Sequence, residues 1–343
     1  MPTAFGIDID TEAVANASLL RKIAKTAEQI ATDAYDEPIN TAEILDRSEQ
    51  RLFELRERSR KSRLRHIHHA LVAHYEKLTE RMEHPTQVSG LASGFRGIDA
   101  LTEGFSQGDL VIVAARPSVG KTSLSLGIAY EVARRGTPVV VFSLEMDALQ
   151  IVARLLGFTG TSDLLALRTG HLLDTSAADA LRPLPLYLDD TPGLSVMELR
   201  TKARRISARE KVGLIVVDYL QLMRTDAQEE NRVQEIATIT RSLKALAREL
   251  DTVVIALSQL SRAAGDFAEP RLSTLRESGA IEQDADVVVM LWRDKDASAA
   301  HAPLLVHGSV AKNRNGPTGP FDLFFESERA RFFNPADDEG IPI

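Results

Sequence analysis

Up to about residue 90 the apolar positions recur only at helical spacing. Leu20, Ile23, Ala27, Ile30 and Ala34 lie three or four residues apart and predict one amphipathic helix, which ends near Pro38. Asn40 with Glu43 three residues on forms a capping-box pattern and opens a second helix to about Ser59, striped by Ile44, Ser48, Leu52 and Leu55. A third helix carries Ile67, Leu71, Tyr75, Leu78 and Met82 and stops before Pro85, and the stretch through Gly94 reads as loop. From Asp109 the pattern changes. Short β-rich runs (109–115, 138–144, 186–188, 214–218, 253–257 and 287–292) alternate with helical segments. Such alternation predicts an α/β fold, a mainly parallel twisted sheet with helices on both faces, preceded by a short all-helical segment. The runs 304–311 and 321–325 have no helix between them, so the sheet is predicted to end in antiparallel hairpins.

Composition narrows the class. The chain has 343 residues, 44% of them hydrophobic, enough for one large or two ordinary domains with a sizeable core. No apolar run reaches the roughly 20 residues of a membrane span, and Met1-Pro2-Thr3-Ala4 lacks the layout of a secretory signal, so a cytoplasmic, non-membrane protein is expected. The absence of cysteine excludes disulfides and thiolate zinc sites. A net charge of -8 argues against coating nucleic acid through bulk charge; any basic surface must be local.

The candidate chemistry starts at the first strand of the alternating region. Ala115, Arg116, Pro117, Ser118, Val119, Gly120, Lys121, Thr122 and Ser123 form a loop between an apolar strand and a helix that begins near Lys121. This is the phosphate cradle of P-loop NTPases. Loop N–H groups and the helix N-terminus hold phosphate, Lys121 reaches the β/γ oxygens, and Thr122 holds Mg2+. Gly-Lys-Thr by itself is unspecific; the strand before it and the helix after it supply the meaning. Ala115 stands where the general pattern has its first glycine, which costs little at negative φ.

Hydrolysis also needs a metal-organising acid and a group acting on water. Asp218 ends the apolar run from Leu214 and is the candidate for Mg2+ through water, while Glu145 follows the run from Val139 and is the candidate general base. Gln259, after the run from Val254, reads either as a γ-phosphate sensor or as a solvated loop amide.

Longer segments carry a family. Phe142-Ser-Leu-Glu-Met146, Asp189-Asp-Thr-Pro-Gly193, Val217-Asp-Tyr-Leu-Gln-Leu222, the run from Leu275 to Asp286, and Ala311-Lys-Asn-Arg-Asn-Gly-Pro-Thr-Gly319 follow the P-loop in that order, and together they resemble DnaB-type replicative helicases over about residues 90 to 335. The resemblance implies a RecA-like core that forms a homo-hexamer around single-stranded DNA and moves on it while hydrolysing ATP or another NTP with Mg2+. It makes Lys312 and Arg314 groups that reach the neighbour's γ-phosphate, Arg314 being the arginine finger; without it they are basic residues ahead of a Gly-Pro turn. Arg276, Glu277 and Gly279 become the readers of the DNA backbone, whose phosphates carry no sequence information. For Arg232 and Lys244 the choice between DNA contact, subunit interface and solvated charge stays open.

The same comparison divides the chain into residues 1–38, the last part of a helical N-terminal domain, 39–88, a helical linker that docks on the next subunit, and 89–343, the motor. It implies a bacterial, nucleoid-associated setting and a helicase loader, and leaves primase binding in doubt because most of the N-terminal domain is lacking. The basic run Arg56, Arg58, Arg60, Lys61, Arg63 and Arg65 reads as a solvated linker face or as a contact for DNA or an acidic partner, and His66, His68, His69 and His74 lack the carboxylate or thiolate pattern of a metal site. Two other readings remain: a RecA-like DNA-binding ATPase in which ATP is mainly an assembly switch, and a truncated form that binds ATP without unwinding.

Overall fold

Each apolar run from Asp109 onward becomes a strand, and those at 110–115, 139–143, 214–218, 253–259 and 287–292 are buried on both faces, as near-continuous hydrophobic sequence requires. The structure is a computed structural model and describes residues 4–36, 44, 47–48, 51–52, 67–83, 88–160, 163–170, 175–224, 231–260, 269–275, 278–294 and 303–335. Asn40, Glu43, the basic run from Arg56 to Arg65, His66, Arg276 and Glu277 lie outside the described residues. The chain divides into two compact units, Met1–Pro85 and Thr86–Ile343.

The first unit holds helices α1 (Ala4–Asp36) and α2 (Ile67–Glu83), which end close to where Pro38 and Pro85 stop them. Residues 44, 47–48 and 51–52 are helical between them, and Arg51 pairs with Asp33 of α1 at 2.5 Å. The stripe residues Leu20, Ile23, Ile67, Leu71, Tyr75 and Met82 are exposed.

The second unit runs α3 (Arg96–Thr102), β1 (Leu110–Ala115), α4 (Lys121–Arg134), β2 (Val139–Ser143), α5 (Ala148–Thr159), α6 (Leu164–Thr169), α7 (Thr175–Leu181), β3 (Leu186–Asp189), α8 (Val196–Ser207), β4 (Leu214–Asp218), α9 (Arg232–Leu250), β5 (Val253–Gln259), α10 (Ser278–Asp284), β6 (Val287–Trp292), β7 (Leu304–Asn313), β8 (Gly319–Glu326) and β9 (Arg331–Phe333). Among the described residues these strands make one nine-stranded sheet in the order β3-β2-β4-β5-β1-β6-β7-β8-β9. The pairs from β3 to β6 are parallel, and β7, β8 and β9 add antiparallel strands at one edge. The predicted hairpins are therefore present. β9, only three residues long, is too short for alternation to reveal.

Two cores cover the sheet. On one face Leu124, Ile128, Ile151 and Leu155 of α4 and α5 pack on Val111, Val113, Val139 and Val216. On the other Leu199, Ile239, Leu243 and Ile281 of α8, α9 and α10 pack on Ile112, Val140, Ile215 and Val288. β7 carries one extra residue, because Val288 faces Lys312 while Val289 faces Val310. Since side chains alternate between faces, this bulge at Ala311 turns Lys312 away from the α4 face and onto the face covered by α9 and α10.

Candidate nucleotide site

Parallel strands deliver their C-terminal ends to one edge, and there the candidate residues meet. Ala115 of β1 lies beside Gln259 of β5, and Ser143 of β2 beside Asp218 of β4. Ala115 is the last residue of its strand, an extended position that alanine occupies without strain. The loop beyond it closes tightly. Ser118 has φ +65° and Gly120, which caps α4, has φ +113°. A Cβ at Gly120 would stand 2.7 Å from the Phe332 ring, so both conformation and space demand glycine. α4 begins at Lys121, and its first-turn N–H groups, which have no carbonyl behind them in the helix, open toward the loop.

Lys121 Nζ lies 3.1 Å from Asp218 Oδ1 and 3.7 Å from a Glu145 oxygen, and stands 4.5 Å from the centre of the Tyr219 ring. The Thr122 hydroxyl donates to Asp218 Oδ2 at 2.7 Å. Asp218 is buried, whereas the Glu145 side chain is about half exposed, with 53% of its surface open. A hydroxyl and a carboxylate side by side are the hard oxygen donors that Mg2+ takes, directly or through water, so the pair Thr122 and Asp218 fits that cation. A half-exposed carboxylate across the ammonium fits a base that must meet water. Gln259 is half-buried at the same edge, and neighbouring Ser258 accepts from Gln221 Nε2 at 3.1 Å.

Two further arginines neighbour this site, and the first carries no local signal in the sequence. Arg154 of α5 donates to Ser123 Oγ at 3.3 Å. Burial lowers its pKa, against the raising pull of Asp218 and Glu145. Arg293 donates to the carbonyl of Ser118 and so braces the strained turn of the phosphate loop. It immediately follows β6, so the strand-end rule that singled out Glu145 and Asp218 would have found it too.

Lys312 and Arg314 are not at this edge. Asn313 at the end of β7 pairs with Val287 at the start of β6, which puts both cations at the opposite end of the sheet from the phosphate loop. Arg314 Nη1 lies 3.2 Å from Asp286 Oδ1, its Nη2 donates to the Gln283 carbonyl, and Lys312 Nζ donates to the carbonyls of Glu282 and, at 2.7 Å, Ala285. Burial, followed by the charge of Arg314, lowers the pKa of Lys312. Gly279 is exposed in α10. Lys244 turns its ammonium inward onto Asp286 and the Gly108 carbonyl instead of into solvent. Arg232 is engaged with Glu235 and, at 2.6 Å, the Gln221 carbonyl. Among the described residues no helix is long and apolar enough to cross a membrane.

The family model of the DnaB-like helicase C terminal domain matches residues 90–334. The replicative DNA helicase DnaC of Bacillus subtilis is 40% identical over 357 aligned residues, covering 100% of this chain and 78% of that protein. The replicative DNA helicase DnaB of Geobacillus stearothermophilus is 40% identical and covers 97% and 76%. A solved DnaB-like replicative helicase, described with its interactions with primase, superposes with a TM-score of 0.80 at 30% identity over 95% of this chain and 78% of that one. A solved ATPase domain superposes with a TM-score of 0.73 at 33% identity over 79% and 99%. With the P-loop, the strand-end acids and these matches along its length, the chain belongs to the DnaB family of replicative DNA helicases and carries that family's motor domain.

Proposed function

We propose that this motor works as a homo-hexameric ring on single-stranded DNA in the bacterial cytoplasm, hydrolysing ATP or another NTP with Mg2+ at sites shared between neighbouring subunits. One observation carries the shared site. Arg314 is bound to Asp286, whose other oxygen accepts from Leu110 N–H at the start of β1, whereas Lys121 lies beyond the end of that strand. Five residue steps of about 3.3 Å separate Leu110 from Ala115, roughly 17 Å in all. An arginine held there is out of reach of phosphate at its own Lys121 and is free to serve the site of another subunit. Head-to-tail contacts of this kind close into a ring when the rotation between subunits closes.

Within one site the residues divide the work. The loop amides from Arg116 to Gly120 and the Lys121 ammonium hold the β- and γ-phosphates, and Thr122 and Asp218 hold Mg2+, which offsets charge on the phosphate oxygens. Glu145 takes a proton from the water that attacks the γ-phosphorus as its bond to the bridging oxygen breaks, releasing ADP and phosphate. Gln259 senses the γ-phosphate. Lys312 and Arg314 of the neighbour stabilise the charge on the transferred group, worth about 10³ to 10⁵ in rate for an arginine finger. Arg276, Glu277 and Gly279 grip the DNA backbone, which suits a motor that must work on any template.

Residues 1–38 fit the end of a helical N-terminal domain and 39–88 a helical linker between subunits. A helicase loader and a primase are the further partners to test beside DNA. Relatives that are replicative helicases do not favour ATP as a mere assembly switch. ATP-dependent strand displacement on a forked duplex, with subunits counted by electron microscopy in the same sample, tests the reading. Hydrolysis stimulated by DNA without displacement from six-membered rings would overturn it.

A further inference from the structure

The segment Leu275 to Asp286 is fastened at both ends. Leu275 bridges to Leu260, the residue after Gln259, and Asp286 N–H donates to Leu110 O at 2.9 Å. Between them in sequence lie the positions proposed to grip DNA, and α10. α10 is also fixed on α9, where Thr240 Oγ1 donates to Asp284 Oδ2 at 3.1 Å. The C-terminal carbonyls of α10 then receive Lys312 and Arg314. Cations at a helix C-terminus are favoured by the exposed carbonyl ends, and the bulge at Ala311 is what turns Lys312 to meet them.

Asp286 is the centre of this junction. Its side chain is 6% exposed, and its two oxygens have separate duties. Oδ2 accepts from Leu110 N–H at 2.8 Å and from Lys244, which anchors the carboxylate to β1 and α9. Oδ1 takes the Arg314 guanidinium at 3.2 Å, and the Arg314 N–H donates to the Asp286 carbonyl at 2.9 Å. The guanidinium therefore has backbone and side chain held by one buried residue while 41% of its side chain stays open to a neighbour. A guanidinium has five N–H donors, so two directed at Asp286 and Gln283 leave others for phosphate. From this geometry we infer that Asp286 is a positioning residue for the finger.

This rests on the proposed role of Arg314, so Arg314→Ala is measured beside it. Asp286→Asn keeps shape and the Leu110 contact but removes the charge that orients the guanidinium. The expected result is a fall of about tenfold to a hundredfold in DNA-stimulated kcat, the scale on which misplacement of about 1 Å acts. KM for ATP and affinity for single-stranded DNA should stay within about twofold, since Asp286 touches neither. In the Arg314→Ala background, residual single-turnover hydrolysis should be unchanged by Asp286→Asn, because a residue acting through Arg314 has nothing left to position.

Asp286→Asn with wild-type kcat, or with the same loss in both backgrounds, overturns the inference. Wild-type kcat in Arg314→Ala would instead overturn the finger itself. Should Asp286→Asn fail to fold or assemble, Asp286→Glu keeps the buried charge while moving it by one methylene, and the same pair of backgrounds decides in the same way.

Discussion

The Thr122 hydroxyl donates to Asp218 Oδ2 at 2.7 Å, joining the first turn of α4 to the C-terminal end of β4. Two residues 96 positions apart in sequence thus share a contact, and the carboxylate's other oxygen lies 3.1 Å from the Lys121 ammonium. Asp218→Asn keeps the size of the side chain and removes its charge. Mg2+-dependent nucleotide binding should weaken about 10- to 100-fold, as for groups that hold a metal through its water. Titrations with Mg2+ and with EDTA measure this, and an unchanged difference between the two would take Asp218 out of the metal site.

Glu145 shares Lys121 with Asp218 but stands more open to solvent. Glu145→Gln should therefore separate binding from chemistry. Nucleotide affinity is expected to hold while turnover falls about 10²- to 10⁴-fold, the usual worth of a general base. Steady-state hydrolysis beside filter binding reads both. Wild-type turnover would transfer the base to another group.

Arg314 and Lys121 belong to opposite ends of one sheet, so complementation between subunits is expected. Arg314→Ala and Lys121→Ala should each be nearly inactive. In equal mixtures allowed to exchange, about one interface in four joins an intact loop to an intact finger. Hydrolysis should return to at most about a quarter of wild type if sites act independently. Native mass spectrometry checks that mixed rings form. Linked dimers with intact pairs at alternate interfaces separate strict coordination from a finger in cis, and silence in them would refute the assignment in trans.

His307 predicts a pH dependence of stability. Burial alone would lower its pKa, but the carboxylates of Asp322 at 2.7 Å and Asp294 at 3.1 Å outweigh burial and hold it above the usual 6.5. A raised folded-state value means that the imidazolium contributes stability fully below the unfolded pKa, and loses it as pH rises through the folded one. The difference in Tm between wild type and His307→Asn should be largest near pH 5 and shrink toward pH 8. A difference that grows with pH would show that the ring is held neutral.

The sequence by itself determined most of the elements and which residues gather at the candidate nucleotide edge, because those signals are local. Apolar runs such as 214–218 become strands wherever both faces are covered, and the loop from Ala115 to Ser123 needs only the strand before it and the helix after it. Glu145, Asp218 and Gln259 could be singled out because parallel strands place their ends together whatever their order in the sheet. That order, β3-β2-β4-β5-β1-β6-β7-β8-β9, was decided only by tertiary packing, since pairing between distant strands leaves no periodicity in either. The same holds for Lys244. On an amphipathic helix it reads as one more basic side chain, yet the buried carboxylate of Asp286 draws it inward, because an unpaired charge there would cost several kcal/mol. Lys312 and Arg314 read as bases ahead of a turn until the bulge at Ala311 and the far end of the sheet assign them a face and a direction. Contacts made across 28 residues, as between Arg314 and Asp286, are set by the register of β6 against β7, a property of the folded sheet and of no single segment.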